Sequence, residues 1–272
     1  MKSLQARIFR PKAPYDQRIS WADNRLPPTD ALVGKEITLE RDDGQTVTFV
    51  FGATHATWRE PGEDASVEAP YDAVQLRDGV FSVELLHPEV PGEDPPTRAA
   101  TSLALNLQTG GALLVRNTIT LGEKKDFRQD LSPCTVAGSG ASFPELSAEL
   151  VGKRAYAEYS DGRAAEHVYL NPYRFGWQGL GGFDYSGAGC EDSTTWKLGD
   201  ELYVLTWVEE WEPVGAVLLM DFAGLRNAGV ILGEDDEGFF HFICGARLTV
   251  LGQTTYPAGY EPAAVGAAPE KA

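Results

Sequence analysis

The most informative part of the sequence is a pair of stretches, LVGKEITLERDDGQTVTFVF (32–51) and LVGKRAYAEYSDGRAAEHVY (150–169), because the second repeats the pattern of the first. Both open with Leu-Val-Gly-Lys, and an Asp-Gly pair follows at the same spacing in each. Further along, AVQLRDGVFSVEL (73–85) resembles TWKLGDELYVLTW (195–207). An ordered series of matches over most of both halves indicates an internal duplication.

Each copy begins with a predicted β-hairpin, because an Asp-Gly pair between two alternating runs is a strong hairpin signal. The chain also holds 29 Gly and 17 Pro, which suits many short strands joined by turns. Short antiparallel strands without long amphipathic helices predict an all-β fold of two tandem antiparallel barrels, one per copy. The expected division is an N-terminal arm (1–25), a first barrel (26–140), a second barrel (146–258) and a flexible tail (259–272).

Composition excludes several classes of function. A net charge of −17 repels phosphate backbones and anionic lipids, so neither nucleic acid nor a membrane is an expected partner. The three cysteines form no CxxC-type pair, and no metal, phosphate-loop or nucleophile-elbow motif occurs. We therefore expect no metal and no cofactor. The absence of a hydrophobic leader or an apolar run long enough to cross a membrane favours a cytoplasmic location.

The faces of the second hairpin follow from its turn. A two-residue turn at Asp161-Gly162 would pair Tyr159 with Ala164, and side chains alternate between faces along each strand. The face predicted to point into the barrel is Ala155, Ala157, Tyr159, Ala164, Glu166 and Val168. His167 and Tyr169 are then predicted to lie on the outer face.

The two copies differ on this face. Ile37 and Leu39 of the first copy become Ala155 and Ala157, while Thr48 becomes Glu166. Replacing large apolar groups by small ones beside a carboxylate and a phenol predicts a pocket in the second barrel.

The run from Leu202 to Trp211 adds a second candidate carboxylate. Its odd positions share one face and place Glu209 among aromatic side chains. A poorly solvated carboxylate has a raised pKa, which suits a general acid or base near neutral pH. The predicted catalytic residues are Glu209, Tyr159 and Glu166, and the predicted ligand-binding residues are Trp177, Tyr203, Trp207, Trp211, Val168 and Ala157.

Structural alternatives stay open for these residues. Glu166 points outward if the predicted register is wrong, and Glu209 with its acidic neighbours could form a solvated edge. The tryptophans are more often core fillers than ligand platforms.

The stretch LVGKRAYAEYSDGRAAEHVYLNPYRFGWQ (150–178) resembles the molybdenum cofactor biosynthesis protein F family. The resemblance continues through TWKLGDELYVLTWVEEWEPVGAVLLMDF (195–222) and extends more weakly to the first copy. It implies paired calycin-like, that is lipocalin-like, barrels. The family has a poorly defined activity, so its name is a weak guide to function.

The second copy is also similar to the phenolic acid decarboxylases, which are single barrels of this type. That family places a Tyr pair, an Arg and a Glu inside the barrel. The resemblance puts the second Tyr at Tyr159 and the Glu at Glu209, whereas the first Tyr falls on Ala157 and no Arg occupies 180–200. The family's reaction is therefore not expected to transfer unchanged. The shared pattern falls on Gly152-Lys153, Tyr159, Asp161-Gly162, Glu166, Asn171, Lys197-Leu198, Tyr203, Trp207 and Glu209.

The leading hypothesis is a cofactor-independent enzyme, an isomerase, cyclase or lyase that acts by proton transfer on an aromatic or polyketide-like molecule. Glu209 would be the general acid or base, Tyr159 would polarise a substrate oxygen, and Glu166 would be a second carboxylate that keeps the first one protonated. The alternatives are a binder or carrier of a small apolar ligand and, on the family name alone, an accessory protein in molybdenum cofactor biosynthesis. The expected partner is a small molecule, and both a monomer and a homodimer remain open.

Overall fold

The computed structural model describes most of the chain as short strands and tight turns. No helix occurs in the part it describes, and so no helix there is long and apolar enough to cross a membrane. Of the predicted N-terminal arm only residues 21–25 are described, and residues 266–272 of the predicted tail lie outside the described residues. The described ranges are 21–63, 65–89, 95–121, 126–180, 187–210, 212–235, 238–262 and 264–265.

The strands form two antiparallel barrels, which confirms the all-β tandem fold. Neighbouring strands pair in sequence order in both barrels, β1 closes the first barrel on β8, and β10 pairs with β17 in the second. The pairing of β12 with β13 completes the second ring, and β9 is added to the edge of β13. The first barrel contains β1 (Glu36–Arg41), β2 (Thr46–Phe51), β3 (His55–Trp58), β4 (Val67–Arg77), β5 (Val80–Leu86), β6 (Thr97–Asn106), β7 (Gly111–Thr120) and β8 (Asp126–Val136). The second sheet contains β9 (Glu145–Leu146), β10 (Lys153–Ser160), β11 (Arg163–Asn171), β12 (Arg174–Leu180), β13 (Ala188–Gly199), β14 (Leu202–Val208), β15 (Val214–Asp221), β16 (Arg226–Asp235) and β17 (Gly238–Gln253).

A β-bulge changes the register of the second hairpin. The turn at Asp161-Gly162 pairs Ser160 with Arg163 as predicted, but the next pair is Glu158 with Ala164, so Tyr159 is an extra residue. A one-residue shift turns every side chain of the partner strand to the opposite face. The inward residues of β10 are Ala155, Ala157 and Tyr159, as expected. The predicted inward face of β11 is wrong: Ala164, Glu166 and Val168 lie outside, and the interior receives Ala165, His167 and Tyr169.

The first hairpin shows the same shift. Leu39 pairs with Val47 and Ile37 with Phe49, so the apolar residues of both strands point into the first barrel. The longer loop between Arg41 and Thr46 contains Gly44 at a φ of 83°, a left-handed conformation that glycine adopts without steric cost. The first barrel is consequently filled by large apolar side chains that include Phe49, Phe51 and Trp58.

The outer walls of the two barrels pack against each other. A layer of aliphatic side chains joins them, with Val80 and Val115 from the first barrel and Leu219 and Val230 from the second. Part of the contact is reciprocal, because β4 packs on β16 while their counterparts β13 and β7 pack together. Polar contacts tie its margins: Asn106 Nδ2 donates to the Leu198 carbonyl at 3.0 Å and Arg77 lies 3.6 Å from Asp221.

Glu84 is a buried carboxyl group on the outer wall of the first barrel. Ser102 Oγ donates to its Oε2 at 2.5 Å, and Ser82 Oγ lies 3.4 Å from its Oε1. Burial raises the pKa of Glu84 to about 8, although the two serines and the Arg25 charge act in the opposite direction. The carboxyl group is therefore mainly protonated at neutral pH.

This pKa predicts a pH-dependent stability. Between about pH 4.5 and 8 the folded chain holds a proton on Glu84 that the unfolded chain has lost, so stability falls as pH rises, by at most about 1.4 kcal/mol per unit. We expect the free energy of unfolding of the wild type, minus that of Glu84→Gln, to fall across this range in urea titrations. The matched control is Glu68→Gln, which removes an exposed carboxylate. A flat difference for Glu84→Gln would contradict the burial of this group.

Candidate functional site

The interior of the second barrel differs in composition from that of the first. Ala155 and Ala157 stand where the first barrel has Ile37 and Leu39, as the equivalent pairings of β10 and β1 show. Tyr159 is fully buried beside them. Burial raises the pKa of its phenol, and the nearby Cys244 adds to the rise while a hydrogen bond with Asn227 opposes it. The predicted inward positions of Ala157 and Tyr159 are thus confirmed.

His167 and Tyr169 are the polar residues that the register shift brings inside. They occupy the positions of Phe49 and Phe51 in the first barrel. His167 is 2% exposed, and its ring packs edge-on against Phe175 with the centroids 5.0 Å apart. Burial lowers the pKa of His167 to about 4, against the opposite influence of Glu166, so the imidazole is neutral at pH 7.

Several polar atoms in this interior have no hydrogen-bond partner among the described residues. They are His167 Nδ1, Tyr169 Oη and Trp207 Nε1. Phe175 connects them, with ring centroids 5.9 Å from Tyr169 and 5.1 Å from Trp207. A buried donor or acceptor without a partner costs about 1–3 kcal/mol, so such atoms mark a place where a bound molecule would be stabilised.

A carboxylate that sequence reasoning missed lies in the same barrel. Glu191 on β13 is 4% exposed and accepts hydrogen bonds from Trp177 Nε1 at 3.1 Å and from the Glu210 main-chain N–H at 3.0 Å. Glu209 is the first residue after β14 and is half-buried. It continues the two-residue alternation of the inward side chains Tyr203 and Trp207. Glu191 and the chain at Glu209 therefore meet at one end of the barrel.

Two predicted site residues do not face the interior. Glu166 is 3% exposed, yet it lies on the outer face, where Arg154 Nε donates to its Oε1 at 2.6 Å and Gln178 Nε2 donates to its Oε2. Val168 sits beside it opposite Arg154 and is half-buried. The ion pair with Arg154 gives Glu166 a structural role, since a buried carboxylate needs such partners.

The remaining predicted residues are distributed as follows. Trp177, Tyr203 and Trp207 pack against the interior cluster, whereas Trp211 lies outside the described residues. The Tyr203 hydroxyl lies at the end of the barrel opposite to Glu191, where it donates to Glu149 Oε2 at 2.6 Å. Glu149 also forms an ion pair with Lys197. Tyr203 is therefore part of the wall and of a polar closure at that end.

No group of three or more His, Cys, Asp or Glu residues is placed to hold a metal ion within the described ranges. The sequence held one signal for the missed His167 and Tyr169: the first copy has apolar residues at the equivalent Phe49 and Phe51. Glu191 had no comparable signal, because polar Ser193 and Thr195 follow it on the inward face of β13.

In comparisons with known proteins, two separate family models match the two halves of the chain. The family model of the MoaF N-terminal domain matches residues 19–120, and that of the MoaF C-terminal domain matches residues 144–254. Protein MoaF of Klebsiella aerogenes is 26% identical over 205 residues, which cover 69% of this chain and 76% of that protein. A solved structure from Burkholderia vietnamiensis, described as a candidate beta-lactamase, aligns at a TM-score of 0.34 and 17% identity over 38% of this chain and 96% of its own.

The buried imidazole gives a prediction of its own. We expect the His167 ring to stay neutral from pH 8 down to about pH 5, because burial disfavours the imidazolium. The protonation of the ring is measured by the chemical shifts of its nitrogens in a ¹⁵N-labelled sample. The His167 signal is assigned by its loss in His167→Gln. The expected midpoint is about 4. A midpoint near the ordinary histidine value would show that water reaches the ring freely.

Proposed function

The chain belongs to the MoaF family, and from that premise we propose that its second barrel binds a small, largely aromatic molecule that carries hydrogen-bond acceptors. One observation carries the proposal: buried polar atoms of His167, Tyr169 and Trp207 lack partners among the described residues and surround the Phe175 ring. The first barrel, which holds phenylalanines at the positions of His167 and Tyr169, has the role of a support.

The chemistry of the lining indicates the kind of ligand. Aromatic side chains favour edge-to-face or offset contacts with another ring. Tyr169 Oη and Trp207 Nε1 are donors, and a neutral imidazole can donate from one nitrogen and accept at the other. A ring that carries a carbonyl or hydroxyl oxygen matches this set, since pockets combine apolar walls with a few placed polar groups.

A binding titration tests the proposal. The dye 6-propionyl-2-(dimethylamino)naphthalene is an uncharged aromatic ketone whose emission shifts to the blue in an apolar site. We expect saturable binding to the wild type and a loss of about 2- to 10-fold in affinity for Tyr169→Phe, because one hydrogen bond is removed.

Two controls separate the interior from the outer wall. Trp196→Phe changes a tryptophan that packs in the layer between the barrels, and Glu166→Gln changes the carboxylate on the outer face. Both should bind the dye as the wild type does. Absence of saturable binding by the wild type would contradict the proposal. Displacement of the dye by a pterin would connect the site with the role that the family name suggests.

A second candidate is cofactor-independent proton transfer on the bound molecule. The hydrogen bond from the Glu210 main-chain N–H to Glu191 favours it, because it brings a buried carboxylate to the chain beside Glu209, and carboxylates serve as general acids or bases. Glu209 would transfer the proton, and Tyr159 would orient a substrate oxygen. Glu191 takes the place that the sequence assigned to Glu166, which lies on the outer face.

Mass spectrometry of reaction mixtures distinguishes an enzyme from a carrier. Wild type and Glu209→Gln are incubated with hydroxycinnamates and related phenolic or polyketide acids. For an enzyme we expect a product that Glu209→Gln loses by at least about 100-fold in rate, as is usual for a general acid or base. Glu166→Gln, the control, should retain the rate. Saturable dye binding without any product would leave the carrier function and remove the catalytic one.

A further inference from the structure

A segment that precedes the first barrel in sequence contacts the second barrel instead. We name Trp21–Arg25 the strap. The Asn24 main-chain N–H donates to the Tyr159 carbonyl at 2.9 Å, and the Gly245 N–H lies 3.3 Å from the Trp21 carbonyl. Asn24 Nδ2 also donates to the Glu158 carbonyl at 3.0 Å. The strap thus crosses from β10 to β17, at the bulge where Tyr159 turns inward.

The strap places Trp21 on the interior cluster of the second barrel. Its ring is 5.0 Å from that of Tyr159 in an edge-on contact, and the Arg163 guanidinium lies 4.5 Å from its centroid. Its Nε1 is buried and has no hydrogen-bond partner among the described residues. Trp21 therefore adds another aromatic surface and another donor of the kind found at Trp207.

The first barrel holds the other end of the strap. Arg25 forms an ion pair with Asp72 on β4, and the Thr29 N–H donates to the Ala73 carbonyl at 2.9 Å. Arg25 also passes so close to β17 that a Cβ at Gly245 would lie 3.0 Å from the Arg25 Cα. A glycine at that position permits this approach.

We infer that Trp21 is a wall of the second barrel's binding site, brought there by a strap that the first barrel anchors and that closes the barrel beside Tyr159. The contribution to binding rests on the proposed function, whereas the closure can be measured without any ligand. The first barrel thereby acts on the site through the Arg25–Asp72 pair.

Three cysteines report on the closure. Cys244 is buried inside the second barrel, Cys134 is buried inside the first, and Cys190 is exposed. Burial raises the pKa of both buried thiols, of Cys134 to about 12, so each reacts only when its surroundings open. Iodoacetamide labelling of the full chain, followed by peptide mass spectrometry, gives the three rates separately.

The variants are Trp21→Ala, which removes the wall, and Asp72→Asn, which loosens the anchor from the first barrel. We expect both to raise the labelling rate of Cys244, by about tenfold for Trp21→Ala, and to leave that of Cys134 unchanged. Trp21→Phe, which keeps a ring, should stay close to the wild type. Tyr260→Ala, which changes an exposed aromatic residue, is the matched control.

An unchanged rate at Cys244 in both variants would overturn the inference, and so would an equal rise at Cys134 and Cys244, which would indicate general unfolding. In the dye titration, Trp21→Ala should bind several-fold more weakly. If the wild type binds no dye, the proposed function fails, while the labelling rates still decide whether the strap closes the barrel.

Discussion

The structure depends on one constraint, the two-residue period of side chains along a β-strand. A single extra residue, Tyr159, decides which side of β11 faces the interior of the second barrel. With the bulge, the His167 imidazole and the Tyr169 phenol lie inside the barrel, and Glu166 lies on the outer face, where it pairs with Arg154. Without it, a carboxylate would be inside and His167 would face outward. The character of the interior is therefore set by the pairing of Glu158 with Ala164.

The sequence was informative where the pattern is local or repeated. The repeated Leu-Val-Gly-Lys indicates the duplication, and the Asp-Gly turns indicate the strands. The alternation of side chains gives the inward side of β10 and β14. The structure confirms these features. The bulge was not predictable from the second copy, because no residue type marks it. The first copy did contain a sign of it. A two-residue turn would place Ile37 and Leu39 on one face of the hairpin and Val47 and Phe49 on the other, although all four side chains are apolar. Glu191 and the strap depend on contacts between distant segments, which a single sequence does not show.

The two barrels have the same fold and different interiors. In the first, phenylalanine, tryptophan and branched aliphatic side chains fill the space, and the result is a closed core. In the second, alanines and polar aromatic residues form part of the lining, which leaves groups able to recognise another molecule. The aliphatic layer between the barrels and the strap hold the second barrel against the first.

The duplication of the barrel within one chain has a consequence for how the chain can change. In a dimer of identical barrels, each substitution would appear twice, so exchanging one core leucine for alanine would cost about 4–10 kcal/mol in all. In a single chain a substitution in one barrel leaves the other unchanged, because Leu39 and Ala157 are encoded separately although they occupy equivalent positions. The chain thus keeps its two barrels in contact while each interior varies independently, so one barrel can lose stability without the other losing it too.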